Sequence, residues 1–63
     1  MLTIHTVKET FVVDNPKDAE NILNEFNRIS MHADEVKWTE PIKLQNGKYI
    51  FFVLDNIIAV EYE

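Results

Sequence analysis

A chain of 63 residues with a formal charge of −5, no cysteine, one glycine and two prolines describes a single domain, 1–63, that buries roughly 60% of the surface its unfolded chain exposes. Without cysteine, neither disulfides nor a thiolate metal site can reinforce so small a core, which leaves oligomerisation as the remaining support. The negative balance opposes nonspecific binding to a phosphate backbone; no stretch approaches the ~20 apolar residues of a membrane span and no signal-peptide pattern follows Met1, so membrane association is not expected and the default compartment is the cytoplasm.

In chain order, Leu2 to about Val13 is rich in β-branched residues, with Leu2, Ile4 and Thr6 alternating against Thr3, His5 and Val7. It reads either as one strand with a bulge or as two short strands divided at Lys8-Glu9-Thr10. Asp14-Asn15-Pro16 announces a helix: Asn15 suits the N-cap, Pro16 the first helical position, and Asp18 the positive end of the dipole. Ala19, Ile22, Leu23, Phe26 and Ile29 recur at three- and four-residue spacing as one apolar stripe. The opposite face, with Lys17, Asp18, Glu20, Asn21, Asn24, Glu25, Asn27 and Arg28, reads as solvated, and a connection is expected through Ser30 to Asp34.

Val36 to Leu44 alternates again, and Asn46-Gly47 is the strongest short hairpin signal in the chain. Taken as a two-residue loop it sets Leu44 opposite Tyr49 and Ile42 opposite Phe51. Pro41 cannot donate to a ladder, so this strand is expected at an edge or imperfectly paired there. The runs Tyr49 to Leu54 and Ile57 to Tyr62 flank Asp55-Asn56 and read as a second hairpin, with Val53 facing Ile58 and Phe51 facing Val60.

These readings give an α+β fold in β-α-β-β-β order: a single helix on one face of a small, mainly antiparallel sheet, made of a three-stranded C-terminal meander plus an N-terminal strand or short hairpin. A helix of about fifteen residues is roughly 22 Å long and covers about two strands. Its stripe is expected on Trp38, Ile42, Leu44, Tyr49, Phe51, Val53, Ile58 and Val60. The other face would hold Ile50, Phe52, Leu54 and Ile57, rimmed by Lys37, Lys43 and Lys48, as the expected interaction surface. Burying each of those four apolar side chains is worth about 1.5 to 3 kcal/mol, so a cover is expected, either the N-terminal segment, a second copy or another protein. A symmetric homodimer is the first choice, because two-fold dimers are the commonest oligomers.

Catalysis is not expected, and neither is a cofactor. His5 and His32 have no second ligand at metal spacing on their own elements, so no metal site is assigned. Ser30 and His32 lie two apart, which do not face each other on a helix. Asp34-Glu35 and Asp14 with Asp18 lack the rhythm of a calcium loop, and one glycine cannot make a phosphate-cradling loop. Lys37, Lys43 and Lys48 beside Phe52 could grip single-stranded nucleic acid, but one aromatic is fewer than such platforms offer and Glu61 stands beside it, so nucleic acid is not the expected partner. The function expected is that of a non-enzymatic, self-associating protein-interaction module. The run Leu44-Gln45-Asn46-Gly47-Lys48, together with Asn56-Ile57-Ile58-Ala59-Val60-Glu61, resembles the hairpin endings of small accessory proteins of bacteria and their phages. That resemblance implies, as the alternative, an inhibitor or adaptor of a host protein.

Overall fold

Residues 1–30 and 36–63 are described by a computed structural model. The N-terminal segment is two strands, β1 (Leu2–Thr6) and β2 (Thr10–Val13), antiparallel with Leu2 opposite Val13 and Ile4 opposite Phe11. Their turn is closed by Thr6, whose N–H donates to the Glu9 carbonyl at 2.9 Å and whose Oγ1 accepts from the Glu9 N–H at 3.1 Å. Because facing residues share a side of the sheet, Leu2, Ile4, Phe11 and Val13 point inward, while Thr3, His5, Thr10 and Val12 point out.

The helix α1 (Pro16–Ser30) starts where the capping residues place it. Asn15 Oδ1 accepts from the N–H groups of Lys17 at 2.9 Å and Asp18 at 3.2 Å, satisfying two of the donors a helix start leaves open. Ala19, Ile22 and Ile29 are buried, and Leu23 and Phe26 pack against the core at its margin.

Two short strands follow, β3 (Ile42–Lys43) and β4 (Tyr49–Ile50), then a 3₁₀ turn at Leu54–Asn56 and the last strand, β5 (Ile57–Tyr62). The α+β class with one helix on an antiparallel sheet is as the sequence indicates; the pairing is not. The expected three-stranded meander is replaced by a sheet in the order β2-β1-β5 and a separate β3-β4 ribbon. The expected Asp55-Asn56 hairpin does not form. A tight type I′ turn needs positive φ at both central residues, and among the described residues only Gly47 has it, at +87°. Instead the 3₁₀ turn, with the Asn56 N–H on the Val53 carbonyl at 3.0 Å, carries the chain across to β1. There β5 sets Tyr62 opposite Leu2, Val60 opposite Ile4 and Ala59 opposite His5, with a bulge before Ile57 meets Thr6. Strand β1 becomes the central strand, and Leu2 and Ile4 are fully buried.

The ribbon shows a second correction. Gly47 donates to the Leu44 carbonyl at 3.0 Å, and Leu44 donates to the Lys48 carbonyl at 2.8 Å, so the loop holds three residues, 45–47, instead of two. Ile42 therefore faces Ile50 and Lys43 faces Tyr49, one place away from the expected register. A slip of one residue exchanges the faces of a strand. Ile42 and Phe52 enter the core with Leu2, Ile4, Ala19 and Ile22, and Leu44 and Ile50 pack beside them. Tyr49, Phe51, Val53 and Trp38, expected in the core, are exposed.

Beyond Pro41 the ribbon continues in a shifted register, with Trp38 bridged to Val53. Thr39 N–H donates to the Phe52 carbonyl at 2.9 Å, and the buried Thr39 Oγ1 accepts from the Phe52 N–H at 2.8 Å. The hydroxyl thus supplies the acceptor that the interrupted ladder lacks. Two helix carboxylates hold the ribbon down: Asp18 Oδ1 accepts from the Gln45 N–H at 2.9 Å, and Glu25 Oε2 accepts from the Glu40 N–H at 2.7 Å. Both belong to the helix face read above as solvated. Their burial arises because the ribbon presents unpaired N–H groups there, a tertiary circumstance that helical periodicity does not encode.

Candidate interaction surfaces

Of the residues assigned to an interaction surface, Phe52 is 5% exposed and lies between Phe11 and Phe26, edge-on to both at ring-centroid distances of 5.7 Å. Ile50, Leu54 and Ile57 are half-buried, and Lys37, Lys43 and Lys48 are exposed. Phe52, Ile50 and Ile57 find their cover within the chain, in the core built by the helix and the β1-β2 hairpin, whereas Leu54 and one side of Ile57 line an open groove beside the helix. The face itself is turned inward by the register of the ribbon, so these apolar residues and the three lysines are not brought together as one open patch.

Two other surfaces are open. The first is the outer edge of β5. The Met1 amino group donates to the Glu63 carbonyl at 2.9 Å, and the Glu63 N–H donates to the Met1 carbonyl at 3.0 Å. This reciprocal pair fixes the phase of the ladder: by the alternation of antiparallel pairing, Glu61 and Ala59 also direct their backbone groups at β1. Val60 and Tyr62 direct theirs outward. Helix α1 packs over β2 and β3, so Val60 and Tyr62, although on the inner side of the sheet, are exposed, as is Ile58 at the bulge. An apolar groove of about 520 Å³ runs between α1 and this edge, lined in part by Leu23, Phe26, Ile29, Leu54, Ile57 and Val60.

The second is the outer face of the ribbon. Trp38, Tyr49 and Phe51 are 61%, 65% and 59% exposed. They lie on one side, since Trp38 is opposite Val53 and Tyr49, Phe51 and Val53 alternate with inward Ile50 and Phe52. Lys43 is opposite Tyr49. The six basic residues divide by place. On the helix, Lys17 lies 3.9 Å from Glu20, and Arg28 makes a two-point contact with Glu25 at 2.6 and 3.0 Å. That hydrogen-bonded contact holds the Glu25 carboxyl below its ordinary range, helped by the Glu40 N–H and opposed by partial burial. Lys8, Lys37, Lys43 and Lys48 make no ion pair among the described residues.

The residues weighed for chemistry are dispersed. His5 sits on the outer side of the three-stranded sheet, with Nε2 3.3 Å from Glu61 Oε1, an approach that lacks hydrogen-bond alignment. Nδ1 is 3.5 Å from Thr10 Oγ1. The Ser30 hydroxyl donates to the Asn27 carbonyl at 2.8 Å. Asp14 is exposed, whereas Asp18 is occupied by Gln45. His32, Asp34 and Glu35 lie outside the described residues. Among the described residues, no three histidine or carboxylate side chains gather closely enough to hold a metal ion, and no helix is long and apolar enough to cross a membrane.

Among the described residues, fold and surfaces together define a small α+β chain with an open sheet edge at β5 and an exposed aromatic face on the ribbon. Comparison with protein-family models, with curated proteins and with solved structures finds no match for it.

Proposed function

We propose that this chain is a non-enzymatic protein-interaction module that self-associates through the edge of β5. The observation that supports the reading is the unpaired backbone of Val60 and Tyr62 on a six-residue strand whose exposed side chains include Ile58, Val60 and Tyr62. A long apolar edge is a template for another strand, and monomeric proteins commonly block it with lysine, proline or a covering loop. Here β5 carries neither lysine nor proline, and its one charged residue is Glu61.

A second copy fits the edge without electrostatic conflict. Antiparallel β5–β5 pairing centred on Val60 places Val60 opposite Val60 and Ile58 opposite Tyr62, and it sets Glu61 against Ala59, so no two carboxylates stand face to face. The product is a continuous six-stranded sheet, an isologous two-fold arrangement, and the groove beside Val60 lies next to the new interface. Backbone pairing over one short strand is a small interface, so the association is weak and concentration-dependent.

Sedimentation equilibrium of the full chain from low to high micromolar concentration tests this. A monomer–dimer equilibrium is expected, abolished in an Ile58→Lys/Tyr62→Lys double variant whose circular dichroism is unchanged. A strict monomer throughout the range, or a dimer indifferent to the two lysines, refutes edge pairing.

A further inference from the structure

The ribbon face is a separate surface, with a composition of its own. We propose that it binds single-stranded nucleic acid, the bases stacking on Trp38, Tyr49 and Phe51 and the phosphates meeting Lys8, Lys37, Lys43 and Lys48.

Three exposed rings share one side of the ribbon. In a chain with one tryptophan and four phenylalanines, the tryptophan and one phenylalanine are left in solvent together with Tyr49, all on one side of a paired ribbon. Tyr49 and Phe51 are two positions apart on an extended strand, about 7 Å, so each ring can take its own base. Sheet-borne aromatics that stack on unpaired bases are the recurrent solution for single strands, since every base offers a π-face. The sequence alone points away from this ligand because the expected register leaves only Phe52 to stack. The true register withdraws Phe52 into the core and supplies three rings in its place.

Both helix cations are engaged by helix carboxylates, whereas four lysines make no ion pair among the described residues. Lys43 is cross-strand from Tyr49 and shares the face of the rings. Lys48 stands at the end of the ribbon, on the opposite phase of its strand. Lys8 lines a small cavity with Phe51 and Val53, and Lys37 lines another with Trp38. Among the described residues, the carboxylates that share these cavities are Glu9, with Lys8, and Glu40, beside Lys37. A second copy is a poor occupant, because face-to-face packing would set lysine against lysine over an apolar patch. An anionic polymer carrying flat apolar groups satisfies both halves of the surface. The overall charge of −5 repels that polymer at long range, so binding is weak and steeply salt-dependent.

Trp38, the sole tryptophan, reports on the site directly. Titrating the full chain with oligo-dT or oligo-U of about 12 nucleotides, within the usual span of single-strand sites, at about 50 mM salt should quench its fluorescence saturably. The logarithm of affinity should fall with the logarithm of salt with a slope of about −2 to −3, four lysines on a single strand. Phe51→Ala and Tyr49→Ala, both at exposed positions and checked by circular dichroism, should each weaken binding at least about five-fold, the lower range for losing one stacked base. Lys43→Gln/Lys48→Gln should flatten the salt slope. The Ile58→Lys/Tyr62→Lys variant should bind with no loss, which separates this surface from the β5 edge. Absence of saturable quenching, tighter binding of duplex than of single strand, or indifference to loss of the rings overturns the proposal. So does equal quenching by heparin, which carries charge without bases, or displacement of the oligonucleotide by poly-glutamate at equal charge concentration, which would mark an acidic protein as the ligand.

Discussion

Replacing Phe52 with alanine, beside the same replacement at Phe51, measures the register of the ribbon in solution. Phe52 is 5% exposed and makes edge-on contacts with Phe11 and Phe26. Truncating a buried phenylalanine costs about 3 to 5 kcal/mol from lost transfer energy and the cavity left behind, and the two ring pairs place Phe52 in the upper half of that range. A chain of 63 residues has a total stability of about 3 to 9 kcal/mol, so Phe52→Ala should be largely unfolded or melt far below the parent. Phe51 is 59% exposed. It recovers less than half the value of a buried phenylalanine, and its loss should cost about 1 kcal/mol. Urea titrations followed by circular dichroism at one fixed protein concentration read the contrast as a shift in midpoint at constant slope. Equal destabilisation by the two variants, or a larger effect at Phe51, would restore the two-residue Asn46-Gly47 loop and refute the core described above.

Two further perturbations probe single interactions. Gly47 has φ of +87°, and a Cβ there would meet nothing within 4 Å, so Gly47→Ala should cost about 1 to 2 kcal/mol of purely backbone origin. Gly47→Asn should recover part of this, read from the same urea midpoints, and equal losses for the two would argue against a left-handed requirement. The Glu25 carboxyl titrates below its ordinary range in the folded chain, chiefly because Arg28 bonds to it. A carboxylate with a depressed folded pKa contributes stability above its unfolded value, near 4.3, and that contribution is lost as pH falls through the folded value. The stability difference between the parent and Glu25→Gln should therefore be present at neutral pH and shrink in acid below pH of about 4; a difference independent of pH would remove the ion pair from the account.

The two readings of function use different residues and fail independently. Edge pairing rests on backbone groups of Val60 and Tyr62, whereas strand binding rests on Trp38, Tyr49, Phe51 and their lysines. If both hold, β5–β5 pairing would join two ribbon faces in one particle, and avidity for a longer strand would follow to the extent that one strand can span both faces.

The sequence by itself determined the helix. Its cap, its first-turn proline and its apolar stripe are properties of residues within four positions of one another, and α1 begins where those local rules place it and turns that stripe inward. What covers it, the ribbon over Asp18 and Glu25 included, is not set by those rules. The sequence likewise located the turn at Gly47, the one described residue with positive φ, though not its length, and it marked Pro41, where the ladder changes register. It did not determine which strands pair. Alternation with period two tells a strand which of its residues share a face and nothing about its neighbour. The runs from Tyr49 to Leu54 and from Ile57 to Tyr62 are each compatible with several partners. The choice fell to the tertiary structure, where β5 encloses β1 and drives Leu2 and Ile4 out of water, and where Asp18 and Glu25 receive N–H groups from a ribbon that is remote in sequence. The candidate surfaces were illegible for the same reason. One extra residue in the 45–47 loop exchanges Phe52 for Phe51, and with it decides which aromatic residues form the core and which face a partner.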